Sequence, residues 1–198
     1  MIGYAFCGSY CTLGESFKQF SLLCRAGYEI VPIMSENVYT RDTRFFAAAE
    51  FRDMVREAAG RDIVHTIEAA EPFGHTGRLE SLIIAPCTGN TLAKIASGIT
   101  DTAVTMAAKA HLRCDGKTLI ALASNDAMSQ NLKNIAALLT RKSVYMLPML
   151  QDSPMGKPHS LVADFSRLAD GFLAMQSSEQ IRPLFLSYRL EKSGKAHH

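Results

Sequence analysis

Short apolar segments alternate with helical segments along most of this chain, and this order restricts its fold more than any other feature. Strands are predicted over residues 2–6, 29–34, 81–85, 118–123 and 144–147. These segments are almost wholly apolar rather than alternating with polar residues. Because strands buried on both faces have that composition, the sequence predicts an α/β fold, in which a parallel sheet carries helices on both faces.

Apolar residues at helical spacing fill the segments between the strands. Thr12 and Glu15 have the spacing of a capping box, so we expect a helix to begin at Thr12 and to end at Gly27. Further helices are predicted over residues 45–59, 91–96, 103–111, 129–139 and 161–175. Residues 70–78 and 148–160, which are interrupted by Pro and Gly, are predicted loops of the kind that is functional or mobile in compact domains.

The length fits one domain, which we assign to residues 1–186, followed by a basic tail at residues 187–198 that is predicted to be disordered. The net charge of +2 argues against binding to nucleic acid, which needs a concentrated basic surface. The five Cys form no CxxC pair, so we predict reduced thiols and no metal site. The first residues lack a basic leader and no apolar run approaches about 18 residues, so we expect a cytoplasmic protein without a membrane span.

Small and hydroxyl-bearing residues follow four of the predicted strands. The turns concerned are residues 8–12, 35–37, 86–91 and 124–126. Ligands of open α/β sheets bind at the carboxyl ends of the strands, where free N–H groups and hydroxyls hold anions without Lys or Arg. Together the turns favour a nucleotide-like ligand, although each alone could serve only to cap its helix. The absence of GxGxxG and GxxxxGK[ST] disfavours a classical NAD site or a P-loop.

Several segments resemble the FMN-binding flavoprotein family, which includes cysteine-type decarboxylases and flavin prenyltransferases. They are residues 7–9 after the first strand and residues 86–91 and 94–101, which resemble the family block P-A-S-A-N-T-x-x-K-x-A-x-G-x-x-D. Residues 43–45, 70–72, 106–110, 124–127 and 151–163 resemble one branch of the family more closely. The resemblance extends over residues 2–184, nearly the whole chain.

The resemblance implies a three-layer, Rossmann-like domain of the flavodoxin type that binds FMN at the subunit contacts of a homo-oligomer assembled from trimers. It implies that the phosphate is held by Gly8, Ser9 and Ser35, that Pro86, Thr88, Asn90 and Thr91 line the flavin, and that Ser124 and Asn125 lie on its ring side. The first turn has Cys7 where the family usually has Thr, and Gly89 replaces an Ala of the block.

The branch implies an oxidation of a dihydrodipicolinate-type ring to pyridine-2,6-dicarboxylate in the mother cell of a spore-forming bacterium. A partner subunit that resembles nicotinamide-dependent dehydrogenases would carry NAD(P), and the sequence does not indicate which cofactor accepts the hydride. Two alternatives stay open. The chain could be a stand-alone FMN-dependent decarboxylase or flavin prenyltransferase, or a non-catalytic scaffold for the partner.

A dicarboxylate substrate needs cations, and we select Arg44 and Lys157 for its two carboxylates. The alternative is that both are solvated loop charges or members of ion pairs. Lys109, among Ala residues of a predicted helix, is expected to be solvated or to lie between subunits.

Asp126 and His75 are the candidate catalytic residues, with His111 as a further proton donor, because their side chains exchange protons. Asp126 could equally cap a helix, and a His outside an active site is the more common case. Cys87 could be a reactive thiol or a small buried residue.

Overall fold

A computed structural model describes residues 1–75 and 77–187, so the predicted tail lies outside the described residues except for Ser187. Within these residues the chain forms seven strands and eight α-helices. The strands are β1 (Ile2–Phe6), β2 (Ile30–Met34), β3 (Ser81–Cys87), β4 (Lys117–Ser124), β5 (Val144–Met146), β6 (Met149–Leu150) and β7 (Leu161–Ala163). The helices are α1 (Leu13–Arg25), α2 (Glu36–Thr40), α3 (Ala48–Ala59), α4 (Ile67–Ala70), α5 (Gly89–Ser97), α6 (Ala103–Leu112), α7 (Leu132–Leu139) and α8 (Leu168–Gln176). Short 3-10 helices cover Tyr10–Thr12, Glu71–Gly74 and Phe165–Arg167.

Five strands form a parallel sheet in the order β2-β1-β3-β4-β5, which confirms the predicted flavodoxin-type architecture. The strand order reverses between β1 and β3, and crevices at such a switch point are where ligands bind in these sheets. The turns after β1, β2, β3 and β4 therefore lie along one edge of the sheet, as the sequence predicted.

The expectation of a purely parallel sheet was incomplete, because β6 and β7 add an antiparallel extension. The strand β7 pairs with the end of β4, where Ala123 faces Val162, and with β6. The predicted helix over residues 161–175 was therefore wrong at its start, and the predicted loop 148–160 contains β6. Leu161 and Ala163 are buried on either side of a partly exposed Val162, an alternation that fits a strand. α8 begins only after the 3-10 helix that Asp164 caps.

Helices cover both faces of the sheet. On one face Tyr4 and Phe6 of β1 pack edge-on against Phe20 of α1, with Phe6 also contacting Phe51 of α3. On the other face, small residues of α6 let that helix pack closely on the apolar strands. The buried alanines of α6 are Ala103, Ala107, Ala108 and Ala110. The two apolar layers together fix the sheet, and through it the positions of the four turns.

The helix termini partly contradict the predicted capping. The hydroxyl of Thr12 makes no capping bond to α1 and instead donates to the Ser9 carbonyl oxygen at 3.0 Å, because a 3-10 helix precedes α1. The expected capping box with Glu15 is therefore wrong. The structure has a capping box at Thr102 and Thr105, which begins α6. Gly60 ends α3 with a φ of 65°, as its position predicted. No helix in the described part of the chain is both long and apolar enough to cross a membrane.

Candidate functional site

Backbone hydrogen bonds join the turns after β1, β2 and β3 into one edge. The Cys7 N–H donates to the Pro86 carbonyl oxygen at 3.1 Å, and the Ser35 N–H donates to the Phe6 carbonyl oxygen at 3.0 Å. A shift of register between β3 and β4 lies between Ile84 and Cys87. These bonds hold the predicted cofactor residues Gly8, Ser35 and Pro86 on neighbouring strand ends.

The turn after β1 presents backbone rather than side chain to the crevice. The Tyr10 hydroxyl donates to the Asn37 carbonyl oxygen at 3.2 Å and so ties this turn to α2. A Cβ on Gly8 would make only an ordinary contact, 3.4 Å, with the Tyr10 ring. Ser9 accepts from the Thr12 hydroxyl at 3.0 Å, and the first N–H groups of the following 3-10 helix have no acceptor within it. Sequence reasoning missed the linking role of Tyr10.

Ser35 carries the most informative side chain of the edge. Its hydroxyl oxygen is buried, has no hydrogen-bond partner among the described residues and does not cap α2. A buried hydroxyl without a partner costs about 1–3 kcal/mol, so native structures rarely keep one without reason. A phosphate oxygen bound at this edge would supply the acceptor. The residues present therefore fit the phosphate group of FMN, as the resemblance implied.

The turn after β3 begins α5. The Thr88 hydroxyl accepts from the Thr91 N–H at 3.2 Å and donates to the Thr91 hydroxyl at 3.1 Å, so Thr88 is the N-cap of this helix. The capping interpretation thus holds for Thr88. Asn90 is exposed in the first turn of α5, while Thr91 is almost wholly buried. Asn90 and the exposed start of α5 face a polar groove of about 420 Å³.

The turn after β4 forms a compact polar cluster against the start of α5. The Ser124 hydroxyl donates to Asp126 Oδ1, and Asn131 Nδ2 lies 3.0 Å from each carboxylate oxygen of Asp126. A Cβ on Gly89 would lie 2.6 Å from Asn131 Nδ2 and 2.8 Å from Asp126 Oδ1, so only glycine fits there without displacing them. Asn131 was not singled out from the sequence, since its partner is five residues away across a turn.

The hydrogen bond from Ser124, reinforced by Asn131, holds the pKa of Asp126 below its ordinary value. Asp126 is therefore ionised near neutral pH, and both of its oxygens already accept hydrogen bonds. Its negative charge lies beside the start of α5 and disfavours a second anion there. As an ionised carboxylate that accepts from Ser124 and Asn131, Asp126 is better suited to orient Ser124 than to donate a proton.

The thiols of Cys7 and Cys87 lie beneath this edge, fully buried. Burial raises the pKa of Cys7 to about 11 and raises that of Cys87 well above the ordinary thiol value. Both therefore stay protonated near neutral pH, and the interpretation of Cys87 as a small buried residue is the one that its surroundings favour. The described residues contain no group of three or more His, Cys, Asp or Glu that could hold a metal ion.

The two candidate histidines are held in other parts of the molecule. Nε2 of His111 lies 3.0 Å from the Lys117 carbonyl oxygen at the start of β4, and burial lowers the pKa of His111. His75 follows the 3-10 helix that packs on α6, with Nε2 3.4 Å from Glu71 Oε1. His75 precedes β3 and His111 precedes β4, so both lie towards the amino ends of the strands. The four turns lie at the carboxyl ends, after β1, β2, β3 and β4. The geometry of this chain therefore gives neither His a place among the four turns.

Of the two cations chosen for the substrate, one is paired with a carboxylate. Lys157 Nζ lies 3.0 Å from Asp152 Oδ2. This contact agrees with the alternative that Lys157 is a member of an ion pair. Arg44 is exposed in the segment between α2 and α3, with its guanidinium 4.8 Å from the centre of the Phe45 ring. Because α2 follows β2, this segment is on the side of the sheet that carries the four turns. Arg44 remains the predicted carboxylate-binding residue.

Comparison with known proteins agrees with this geometry. The chain is 34% identical over 185 residues to the B subunit of dipicolinate synthase from Bacillus subtilis (strain 168), an alignment that covers 93% of this chain and 92% of that protein. The crystal structure of the B subunit of dipicolinate synthase from Bacillus halodurans superposes with a TM-score of 0.86 at 34% identity, covering 94% of this chain and 95% of the other.

A more distant structure shows the same fold. The FMN-dependent cysteine decarboxylase SpaF superposes with a TM-score of 0.64 at 21% identity, covering 89% of this chain and 95% of the other. The Flavoprotein family model matches residues 2–178, nearly all of the described chain. The chain belongs to the Flavoprotein family.

Proposed function

We propose that this protein is the flavin-binding B subunit of a dipicolinate synthase and that it acts with the A subunit of dipicolinate synthase, which would bind NAD(P). The pair would oxidise dihydrodipicolinate to dipicolinate during sporulation. The observation that carries the proposal is the 34% identity to the B subunit of a dipicolinate synthase over 93% of the chain. The Ser35 hydroxyl, at the carboxyl end of β2 beside the switch-point strand β1, has no hydrogen-bond partner among the described residues and independently supports a phosphate-bearing ligand.

We assign each of the four turns to a part of the FMN molecule. Gly8 and Ser35 would hold the phosphate through backbone N–H and hydroxyl groups, and Pro86 and Asn90 would lie along the flavin. When bound, FMN supplies an acceptor for two electrons and a proton. Ser124, whose hydroxyl proton is donated to the ionised Asp126, would present its oxygen as a hydrogen-bond acceptor at the edge of the ring.

Arg44 would bind one carboxylate of the substrate, since its guanidinium forms no salt bridge in the part of the chain that the structure describes. Lys157 would bind the second carboxylate of the substrate only if it first released Asp152, its present ion-pair partner. This arrangement would place a dianionic substrate beside the flavin without a metal ligand.

The proposal is tested by an absorbance titration of the purified protein with FMN, followed by an assay of dipicolinate formation with the partner subunit. We expect a shift of the flavin bands on binding, and dipicolinate formation that requires both subunits and FMN. A partner that forms dipicolinate at full rate alone would refute it. Full activity of a complex that binds no flavin would instead support the scaffold.

The decarboxylase or prenyltransferase alternative rests on the sequence block that contains Asn90. Turnover of a cysteinyl peptide or a prenyl phosphate by the isolated, FMN-loaded protein would support it. Absence of turnover, together with dipicolinate formation in the presence of the partner, would exclude it.

A further inference from the structure

A second groove, of about 230 Å³, lies on the helical layer formed by α5 and α6, and we call it the α5–α6 groove. It shares no lining residue with the polar groove at the strand ends. Apolar side chains form part of its lining, namely Ile95, Ile99 and Leu112, and Ile99 is 48% exposed. The groove is therefore separate from the proposed flavin edge.

Three cations line the α5–α6 groove, and no Asp or Glu does: Lys109 and Arg113 of α6 and its following turn, and Arg141 from the turn before β5. None of the three forms a salt bridge within the described residues. The neighbouring Lys94, in contrast, is neutralised by Asp101 at 2.7 Å. The three cations of the groove thus have no carboxylate partner among the described residues, whereas the nearby Lys94 has one.

The spacing of the cations adds to this imbalance. Lys109 and Arg113 are four residues apart, so they project from the same side of the helix end and repel each other. A Cβ on Gly74 would lie 2.6 Å from Arg113 Nε, so the guanidinium lies against that glycine. Arg141 approaches from a different element. An anion that contacts both elements would relieve the repulsion and bridge them.

We propose that the α5–α6 groove is a binding site for a small aromatic dicarboxylate of the class of pyridine-2,6-dicarboxylate, separate from the proposed flavin edge. Two carboxylates match cations on two elements, and a flat ring matches the apolar lining of Ile95, Ile99 and Leu112. The choice of this ligand rests on the proposed function, because it is the product of that reaction. A product bound here would leave the flavin edge free.

The test is a calorimetric titration of the full-length protein, in metal-free buffer with excess FMN, with pyridine-2,6-dicarboxylate. We expect saturable binding that weakens about tenfold or more in the double variant Lys109→Gln/Arg141→Gln, since hydrogen bonds between charged groups are lost. Lys142→Gln is the matched control, because Lys142 is exposed beside Arg141 but does not line the groove. Benzoate, with one carboxylate, should bind at least about tenfold more weakly.

Three results would overturn the inference: no saturable binding to the wild-type protein, equal loss in Lys142→Gln, or binding abolished by Arg44→Gln and unaffected by the double variant. Loss of binding in Arg44→Gln alone would place the ligand at the proposed flavin edge and not in the α5–α6 groove. Failure of the proposed function is distinguishable, because it would appear as absent FMN binding or absent dipicolinate formation with the partner. Titration of the groove variants does not depend on either measurement.

Discussion

Replacing Ser35 by Ala should weaken FMN binding without destabilising the FMN-free protein. In the free protein, the hydroxyl is buried and has no partner in the described part of the chain, at a cost of about 1–3 kcal/mol relative to a satisfied or solvated group. Ala removes that cost and leaves only a small void. We therefore expect the free energy of unfolding of the FMN-free variant to be unchanged or to rise by up to about 1 kcal/mol.

In the bound protein the same hydroxyl would donate to a charged phosphate oxygen. Hydrogen bonds to charged groups contribute about 1.5–3 kcal/mol, so the dissociation constant of FMN should increase about ten- to a hundredfold. Urea unfolding of the FMN-free protein gives the first quantity, and fluorescence titration with FMN gives the second. Ser177→Ala, at the exposed end of α8, is the control and should change neither.

The reasoning about Ser35 would be refuted by a variant that binds FMN with wild-type affinity. It would also be refuted if the FMN-free variant lost more than about 1 kcal/mol of stability, because that loss would mean that a protein group accepts the hydrogen bond. Weaker FMN binding without a loss of stability in the FMN-free variant is the outcome that agrees with a hydroxyl kept unpaired for a ligand.

Three further predictions concern the neighbouring residues. Gly89→Ala should lower the free energy of unfolding by about 1–3 kcal/mol in urea because its Cβ overlaps the polar cluster. Gly14→Ala in α1 should not be destabilising, because its Cβ would make only an ordinary contact, 3.7 Å, with the Phe46 ring. The lowered pKa of Asp126 contributes stability above its unfolded value of about 3.9 that is lost as the pH falls through the folded value. The stability gap between wild type and Asp126→Asn should therefore shrink below about pH 4, and a gap independent of pH would contradict this. Arg44→Gln should raise KM for the dicarboxylate about tenfold without weakening FMN binding, and Lys157→Gln, already paired, should have a smaller effect; equal effects would argue against the assignment.

The strands of the parallel sheet and the turns that follow them were predictable, because each is encoded locally. Residues 2–6 and 81–85 are apolar without alternation, and such segments have few other stable arrangements than burial on both faces. The direction of a parallel strand then puts its following turn on the common edge. The prediction failed for residues 161–163, where three residues form a strand only because the end of β4 pairs with them.

The chemistry of the site was less accessible from the sequence, since hydrogen-bond partners depend on distance in space. Thr12 and Glu15 had the right spacing for a capping box, yet a 3-10 helix before α1 directs the Thr12 hydroxyl to Ser9. His111 was chosen for its ordinary pKa, and only the fold shows it buried against Lys117. In each case the residue type indicated that the side chain forms a hydrogen bond, but the sequence did not show which group is its partner.

Local sequence was enough to predict the five parallel strands and the small, hydroxyl-rich turns at their ends, because burial and turn chemistry act over a few residues. Only the tertiary structure shows which hydroxyls and charged side chains lack a hydrogen-bond or ion-pair partner among the described residues. It left Ser35 without a partner among residues 1–75 and 77–187, engaged both oxygens of Asp126, and placed Lys109 and Arg141 around one groove. The reason is physical: a hydrogen bond or a charge is satisfied only by groups that packing brings within reach.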